Sequence, residues 1–290
     1  MSNLVYIVLI LIGSSACASS QNEANAKLES VAKLPDQLKE CSGMVNLGDG
    51  YYLGNNDSGN PAELIRFSLE KPDETSKIRI TGASNVDWEE LASDDEFIYI
   101  GDTGNNSGNR KDLTVYRVRR DEVLMRDKVN ADKILFAYPD QVKFNPSNKH
   151  NFDCEAMVCI GDSLFVFTKN RGNGKTNAYG FPKEPGIYTA KPVGSYDAGG
   201  LITGADYRSS GQFGELVLVG YRFENRGYHP FILYFDTITV PNFFESNPAI
   251  YTFKGKLQTE TIVFGKGAQI LVSNEEEHGD EGLIYRVKLE

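Results

Sequence analysis

Three glutamates return in one repeated context, and a recurring acid is the first candidate for chemistry. Glu89 in VDWEELA, Glu155 in FDCEAMV and Glu260 in QTETIVF hold the second position of a motif x-[acid or hydroxyl]-x-[apolar]. Ser42 in ECSGMV and Thr203 in ITGADY take the same place, and successive motif residues lie 47, 66, 48 and 57 apart. If the repeats close around an axis, three carboxylates meet there, and their repulsion raises each pKa unless a cation neutralises them. Calcium suits such a ring because it is hard, takes about six to eight oxygens, and accepts carboxylates and hydroxyls together. The competing arrangement needs no metal: Lys169, at the end of the second strand of the third repeat, pairs with Glu155 and a neighbour in an ion-pair network.

Polar loops accompany the ring. NNDSGN, DTGNNSGN and NEEEHGDEG are rich in Asp, Asn and Gly, yet none has the full spacing of a helix-flanked calcium loop, and each residue type also serves tight turns. Basic residues on this loop face are unevenly placed, with Lys169, Arg171 and Lys175 in the third repeat and Arg222 and Arg226 in the fourth. With the loop histidines His229 and His278, they could hold a small anion, guanidinium forks on phosphate or carboxylate, while a metal bridges the acids. His150 is the only other histidine, and no zinc-ligand spacing exists. Aromatic loop residues Tyr221, Phe223 and Tyr228 instead suit a glycan or a protein partner. Trp88 alternates with Glu89 and so points off the axis. The chain has no nucleophile elbow, phosphate loop or dinucleotide fingerprint.

The elements that must position these residues are strands. From residue 40 onward, short β-branched and aromatic runs alternate with Gly, Asn and Asp clusters, and no strong 3.6-residue apolar period lasts three turns. Aligned on the motif, the chain gives five copies. The first reads ECSGMV, YYLGNNDSG, ELIRFSL, KIRITG, and the second VDWEELA, FIYIGDTGNN, LTVYRVR, KILFAYP. The third reads FDCEAMV, SLFVFTKNR, GIYTA, KPVGSYD, the fourth ITGADY, ELVLVGYRF, FILYFDT, AIYTFKG, and the fifth stops after QTETIVF, QILVSNEEE, LIYRVKL. Four-stranded repeats of this length predict an all-β, single five-bladed β-propeller of antiparallel blades over residues 27–290. An N-terminal strand at Ser30 to Leu34 would complete the last blade and remove its edge, although Ala26 to Leu34 also has helical composition.

Composition bounds the rest. Among 290 residues, 40 acidic and 30 basic side chains give a net charge of -10, which argues against binding a phosphate backbone. Leu4 to Ile12 is an apolar run too short to span a bilayer, followed by small residues and Cys17. Residues 1–17 therefore read as a signal peptide, of lipoprotein type if Cys17 is acylated, with 18–26 a polar linker. Export to the cell envelope, periplasm or extracellular space is expected, with any membrane contact made through that lipid and the protein monomeric. Cys41, Cys154 and Cys159 have no metal-binding spacing and read as buried thiols.

The runs LPDQLKECSG, NNDSGN, NVDWEELASDDEFIYIGDTGNN and NRKDLTVYRV resemble secreted or lipid-anchored bacterial β-propeller proteins of phytase-like or esterase-like type, a group without a settled activity. The resemblance covers the first half; residues 150–290 share only the repeat. A more distant architectural likeness is to five-bladed calcium-dependent apyrases, which place calcium in the channel beneath a nucleotide. Together these imply an exported propeller binding a small anionic ligand with calcium at the channel mouth, and, if an enzyme, a metal-dependent phosphoester hydrolase. The alternative is a non-catalytic envelope module that binds a glycan or protein through the same loops.

Overall fold

The structure, a computed structural model, describes residues 23–210, 213–276 and 281–289. The expected signal peptide and Cys17 therefore lie outside the described residues, as does His278. The chain is all-β, with one short helix. Strand β1 (Glu23–Lys33) is followed by β2 (Cys41–Gly48), β3 (Tyr51–Asn56), β4 (Glu63–Ser68) and β5 (Ser76–Thr81), four antiparallel neighbours. Next come β6 (Trp88–Ser93), β7 (Phe97–Asp102), β8 (Thr114–Arg119), helix α1 (Arg120–Met125), β9 (Lys128–Asn130) and β10 (Asp132–Ala137). Then follow β11 (Cys154–Ile160), β12 (Ser163–Thr168), β13 (Thr176–Pro182), β14 (Gly186–Thr189) and β15 (Lys191–Tyr196). The last strands are β16 (Leu201–Ser210), β17 (Phe213–Glu224), β18 (Gly227–Ile238), β19 (Ala249–Phe253), β20 (Thr259–Phe264), β21 (Ile270–Asn274) and β22 (Leu283–Leu289).

The sheets run β2-β3-β4-β5-β9, β6-β7-β8-β10-β14, β11-β12-β13-β15, and an eight-stranded β16-β17-β18-β19-β1-β22-β21-β20. Their first strands touch in a closed cycle, β2 to β6 to β11 to β16 to β20 and back to β2. The core is divided accordingly. One cluster packs Val45, Leu53 and Ile78 against Trp88, Leu91 and Ile98. Another packs Met44, Ile65 and Phe67 against Val263, Leu271 and Ile284, joining the end of the chain to its beginning. Each sheet is apolar on both faces because each has a neighbour on both sides, which is why these strands lack strict polar alternation.

The edges are closed by strands borrowed from the next unit. β9 runs parallel to β5, β14 parallel to β10, and β1 parallel to β19, so three outer edges are covered. β1 also pairs antiparallel with β22, from Ala26 opposite Leu289 to Lys33 opposite Leu283. It begins at Glu23, within the stretch expected to be linker, because Glu23, Ala24 and Asn25 are recruited by β19 before the pairing with β22 starts at Ala26.

The third repeat departs from expectation. Its third strand is TNAYGFP (β13), which Asn, Gly and Pro disguise as a loop, and GIYT (β14) leaves to edge the preceding sheet. Gly180 is needed in β13 because a side chain there would run into the Phe165 ring. The long interval between Glu89 and Glu155 holds α1, β9 and a loop after β10. No helix among the described residues is long and apolar enough to cross a membrane.

Candidate functional site

In every first strand the ladder slips by one residue at the motif position. Cys41 pairs with Asn56 and Gly43 with Asn55, leaving Ser42 as the extra residue of a β-bulge; Glu89, Glu155, Thr203 and Glu260 are skipped in the same way. A bulge turns its extra side chain out of the ordinary pleat. It also frees a carbonyl, and a hydroxyl from the preceding unit caps it. Ser42 Oγ donates to the Trp88 carbonyl at 2.7 Å, Thr103 Oγ1 to that of Cys154 at 3.0 Å, and Thr203 Oγ1 to that of Thr259 at 2.7 Å.

Ser42 and Thr203 staple neighbouring sheets through their hydroxyl protons, and Ser42, which lines the axial cavity, also accepts from Asn55 Nδ2 at 2.8 Å. Glu89, Glu155 and Glu260 do converge, lining a cavity of about 260 Å³ at the axial mouth. The same register assigns a second ring, on each second strand's path the residue one past the partner of the residue before the motif: Asp57, Thr103, Lys169, Tyr221 and Glu275. A third contribution precedes each motif by two residues and includes Glu40, Asp87, Asp153 and Gln258.

Asp57, Asp87 and Asp153 were missed from the sequence, although D-x-E occurs twice, in VDWEE and FDCEA. Oxygens of Asp57, Asp87 and Glu89 lie within 4.8 Å of one another, as do those of Glu89, Asp153 and Glu155. The two triads share Glu89 and differ in their neutralisation. Lys169 Nζ is ion-paired with Glu155 in a fully interior contact. Arg171 Nε donates to Asp153 at 2.8 Å, and its Nη2 reaches Glu155 at 3.4 Å. Against burial, which would lower it, the Glu155 carboxylate holds the Lys169 ammonium well above its ordinary range.

The other triad has no such partner. Glu89 is 5% exposed, lines the cavity, and makes no hydrogen bond or ion pair among the described residues. Burial, then the charges of Glu155, Asp57 and Asp87, pushes it well above the carboxylate range. Asp87 is pushed up to about 7 by burial and by Asp57 and Asp153, with Arg110 opposing. Asp57 is raised mainly by burial and shares a hydrogen bond with Asp87. Gly104 of the DTGNN run backs this pair: a Cβ there would fall onto the Asp87 and Glu89 carboxylates.

The remaining expected ligand residues lie apart from the mouth. Arg222 pairs with Glu23 at 2.9 Å and stacks on Phe231, 5.0 Å from its ring centre. Arg226 sits at the tip of the β17–β18 hairpin with φ of 59°, and His229 Nε2 contacts the Glu224 carbonyl at 3.2 Å. The reason is that β17 continues to Glu224 where a loop was expected. With Tyr221 facing the cavity, alternation sends Arg222 to the other sheet face. His150 covers Gly108 and meets the Asn106 carbonyl at 3.1 Å. Trp88 is fully buried between sheets, its Nε1 donating to Ser84 at 2.9 Å, as its alternation with Glu89 requires.

Below the mouth, Glu90 closes the axis. Its carboxylate accepts the Leu91 N–H at 2.9 Å and, from a strand that is not its neighbour in the cycle, the Ala205 N–H at 3.0 Å. Burial raises its pKa well above the ordinary value, and no sequence signal distinguished it from its neighbour Glu89.

Solved structures resemble this architecture. Glutaminyl cyclase of Myxococcus xanthus superposes with a TM-score of 0.50 at 12% identity, covering 93% of this chain and 99% of that one. The catalytic domain of the Coprinopsis cinerea GH62 α-L-arabinofuranosidase gives 0.53 at 12%, covering 91% and 97%. A glucose dehydrogenase gives 0.51 at 10%, covering 91% and 100%. No family model matches the chain, and no curated protein matches it by sequence. At this identity the likeness concerns the fold, and the class it defines, with the sheets and their closed cycle, is the β-propeller.

Proposed function

We propose that this protein is a five-bladed propeller whose axial mouth binds a divalent cation of calcium's chemistry through Asp57, Asp87 and Glu89. The closed cycle of bulged inner strands supports the blade count. β1 then belongs to the last blade and bridges to the one before it. The observation that carries the cation reading is Glu89: a nearly buried carboxylate facing a cavity, beside two further acids, without a counter-charge. Nature leaves such a group unpaired at a cost of several kcal/mol by order of magnitude, a cost removed by a cation or a proton.

The three carboxylates are hard oxygen donors, and open space in the cavity admits water to complete a coordination shell. A bound calcium would offset most of the triad's charge and polarise an oxygen placed on it. Anion binding, and with it hydrolysis of a phosphoester, depends on that cation, since Lys169 and Arg171 are engaged with Glu155 and Asp153. Burial raises both Asp57 and Asp87, so a proton taken up there in the metal-free state would give the site acid–base capacity. The N-terminal apolar run supports placing the protein outside the cytoplasm.

Calorimetric titration of calcium into metal-free protein tests the reading. Wild type and Glu155→Gln should bind, and Glu89→Gln should lose about tenfold or more in affinity. Equal affinity in wild type and Glu89→Gln would place the cation elsewhere.

A further inference from the structure

One wall of the mouth is not used by cation binding. Tyr221 and Tyr228 line it with ring centres 4.8 Å apart, edge to face, and Phe223 extends the ladder 5.3 Å beyond Tyr228. All three stand on the β17–β18 hairpin, where Phe223 is directly opposite Tyr228. Asn225 and Arg226, both with left-handed backbone, turn the chain tightly at the tip. Phe223 is 65% exposed, so the ladder runs from solvent into the cavity.

The facing wall determines what such a ladder would receive. Glu40, Asp57, Glu89, Glu155, Glu260 and Glu275 line the cavity, against two cations, Lys169 and Arg171. Carboxyl oxygens are predominantly acceptors, so a ligand lying among them must be rich in donors. A free anion is repelled. An organic ammonium would suit both acids and rings, but the inner ring is already served: Lys169 Nζ lies 5.3 Å from the Tyr221 ring centre. A second ammonium beside it would meet like charge. The remaining class is neutral and hydroxyl-rich, with donors around its rim and an apolar C–H face for an aromatic ring.

We propose that the mouth takes a neutral sugar residue, its ring packed on Phe223 and Tyr228 and its hydroxyls donating to the mouth carboxylates. This rests on the mouth being the ligand site, and it places the sugar beside the cation position. The test is calorimetry of the full chain with neutral oligosaccharides of glucose, galactose, mannose and xylose, alongside choline, spermidine and oligogalacturonate. At least one neutral oligosaccharide should bind, and Phe223→Ala should weaken it about three- to tenfold while leaving calcium affinity unchanged. Binding of only the amines or the uronate, or an unchanged Phe223→Ala affinity, overturns the proposal. Calcium binding with no sugar binding overturns it too, leaving the cation reading in place. Sugar binding that Phe223→Ala weakens, in a protein that takes up no calcium, supports it and removes the cation reading instead.

Discussion

The second and third units of the propeller carry the same D-x-E sequence at the same bulge, yet one is neutralised and the other is not. In the third unit, Asp153 and Glu155 are met by Arg171 and Lys169. In the second, Asp87 and Glu89 face Asp57 and a hydroxyl residue, Thr103, at the position equivalent to Lys169. The chemistry of the mouth is therefore set by the second-ring residue of each unit. Lysine there makes an ion-pair plug, whereas Thr103 turns its hydroxyl to the Cys154 carbonyl and leaves the acids for a cation or proton.

The largest effect is expected from breaking the neutralised half. Lys169→Met leaves Glu155 interior with only the longer Arg171 contact, and should cost about 3–5 kcal/mol of stability in denaturant unfolding. A cost below about 1 kcal/mol would show that the pair is solvated and the two halves equivalent.

Next in size is the opposite response of the two glutamates. Without metal, Glu89→Gln removes a carboxyl group that burial and its acidic neighbours disfavour, and should raise the melting temperature by a few degrees, a change of about 1 kcal/mol. Glu155→Gln strands Lys169 and should lower it. Matching signs would dissolve the comparison.

Acidity sharpens it further. Folding raises Asp87 from its ordinary 3.8 to about 7, so between these values the folded chain binds more protons than the unfolded chain. Its contribution in metal-free protein should be most favourable below the lower value, decline as pH rises through about 7, and then stay constant. Asp87→Asn should abolish that component, and saturating calcium should suppress it. A melting-temperature difference between wild type and Asp87→Asn that does not vary from pH 4 to 8 would contradict the assignment. The smallest effect is from Gly104→Ala, which displaces the two carboxylates and should weaken calcium a fewfold in the same titration; unchanged affinity would mean the carboxylates move aside freely.

Much of this was legible in residue order. The repeat located every first and second strand, because apolar runs between polar turns survive in each copy. It also put Glu89, Glu155, Glu260, Lys169 and Arg171 together. Three features were hidden for physical reasons. Bulges interrupt strict alternation by one residue, so the acids two positions upstream, Asp87 and Asp153, were not placed with the motif glutamates. β13 is glycine-bearing because Phe165 packs over it, which makes a buried strand look like a loop. The long β17–β18 ribbon carries Arg222, Arg226 and His229 past the mouth, and no local signal distinguishes a hairpin that continues from one that ends.

The measurement closest to the central claim is thermal unfolding of wild type, Glu89→Gln and Glu155→Gln, each with excess calcium and with chelator. At calcium about a hundredfold above its dissociation constant, wild type should gain on the order of 5 °C. Glu155→Gln should gain a comparable amount from its lower baseline, and Glu89→Gln almost nothing. A wild-type midpoint unmoved by millimolar calcium, with only Glu155→Gln destabilised, would contradict the account and leave the mouth as an ion-pair plug.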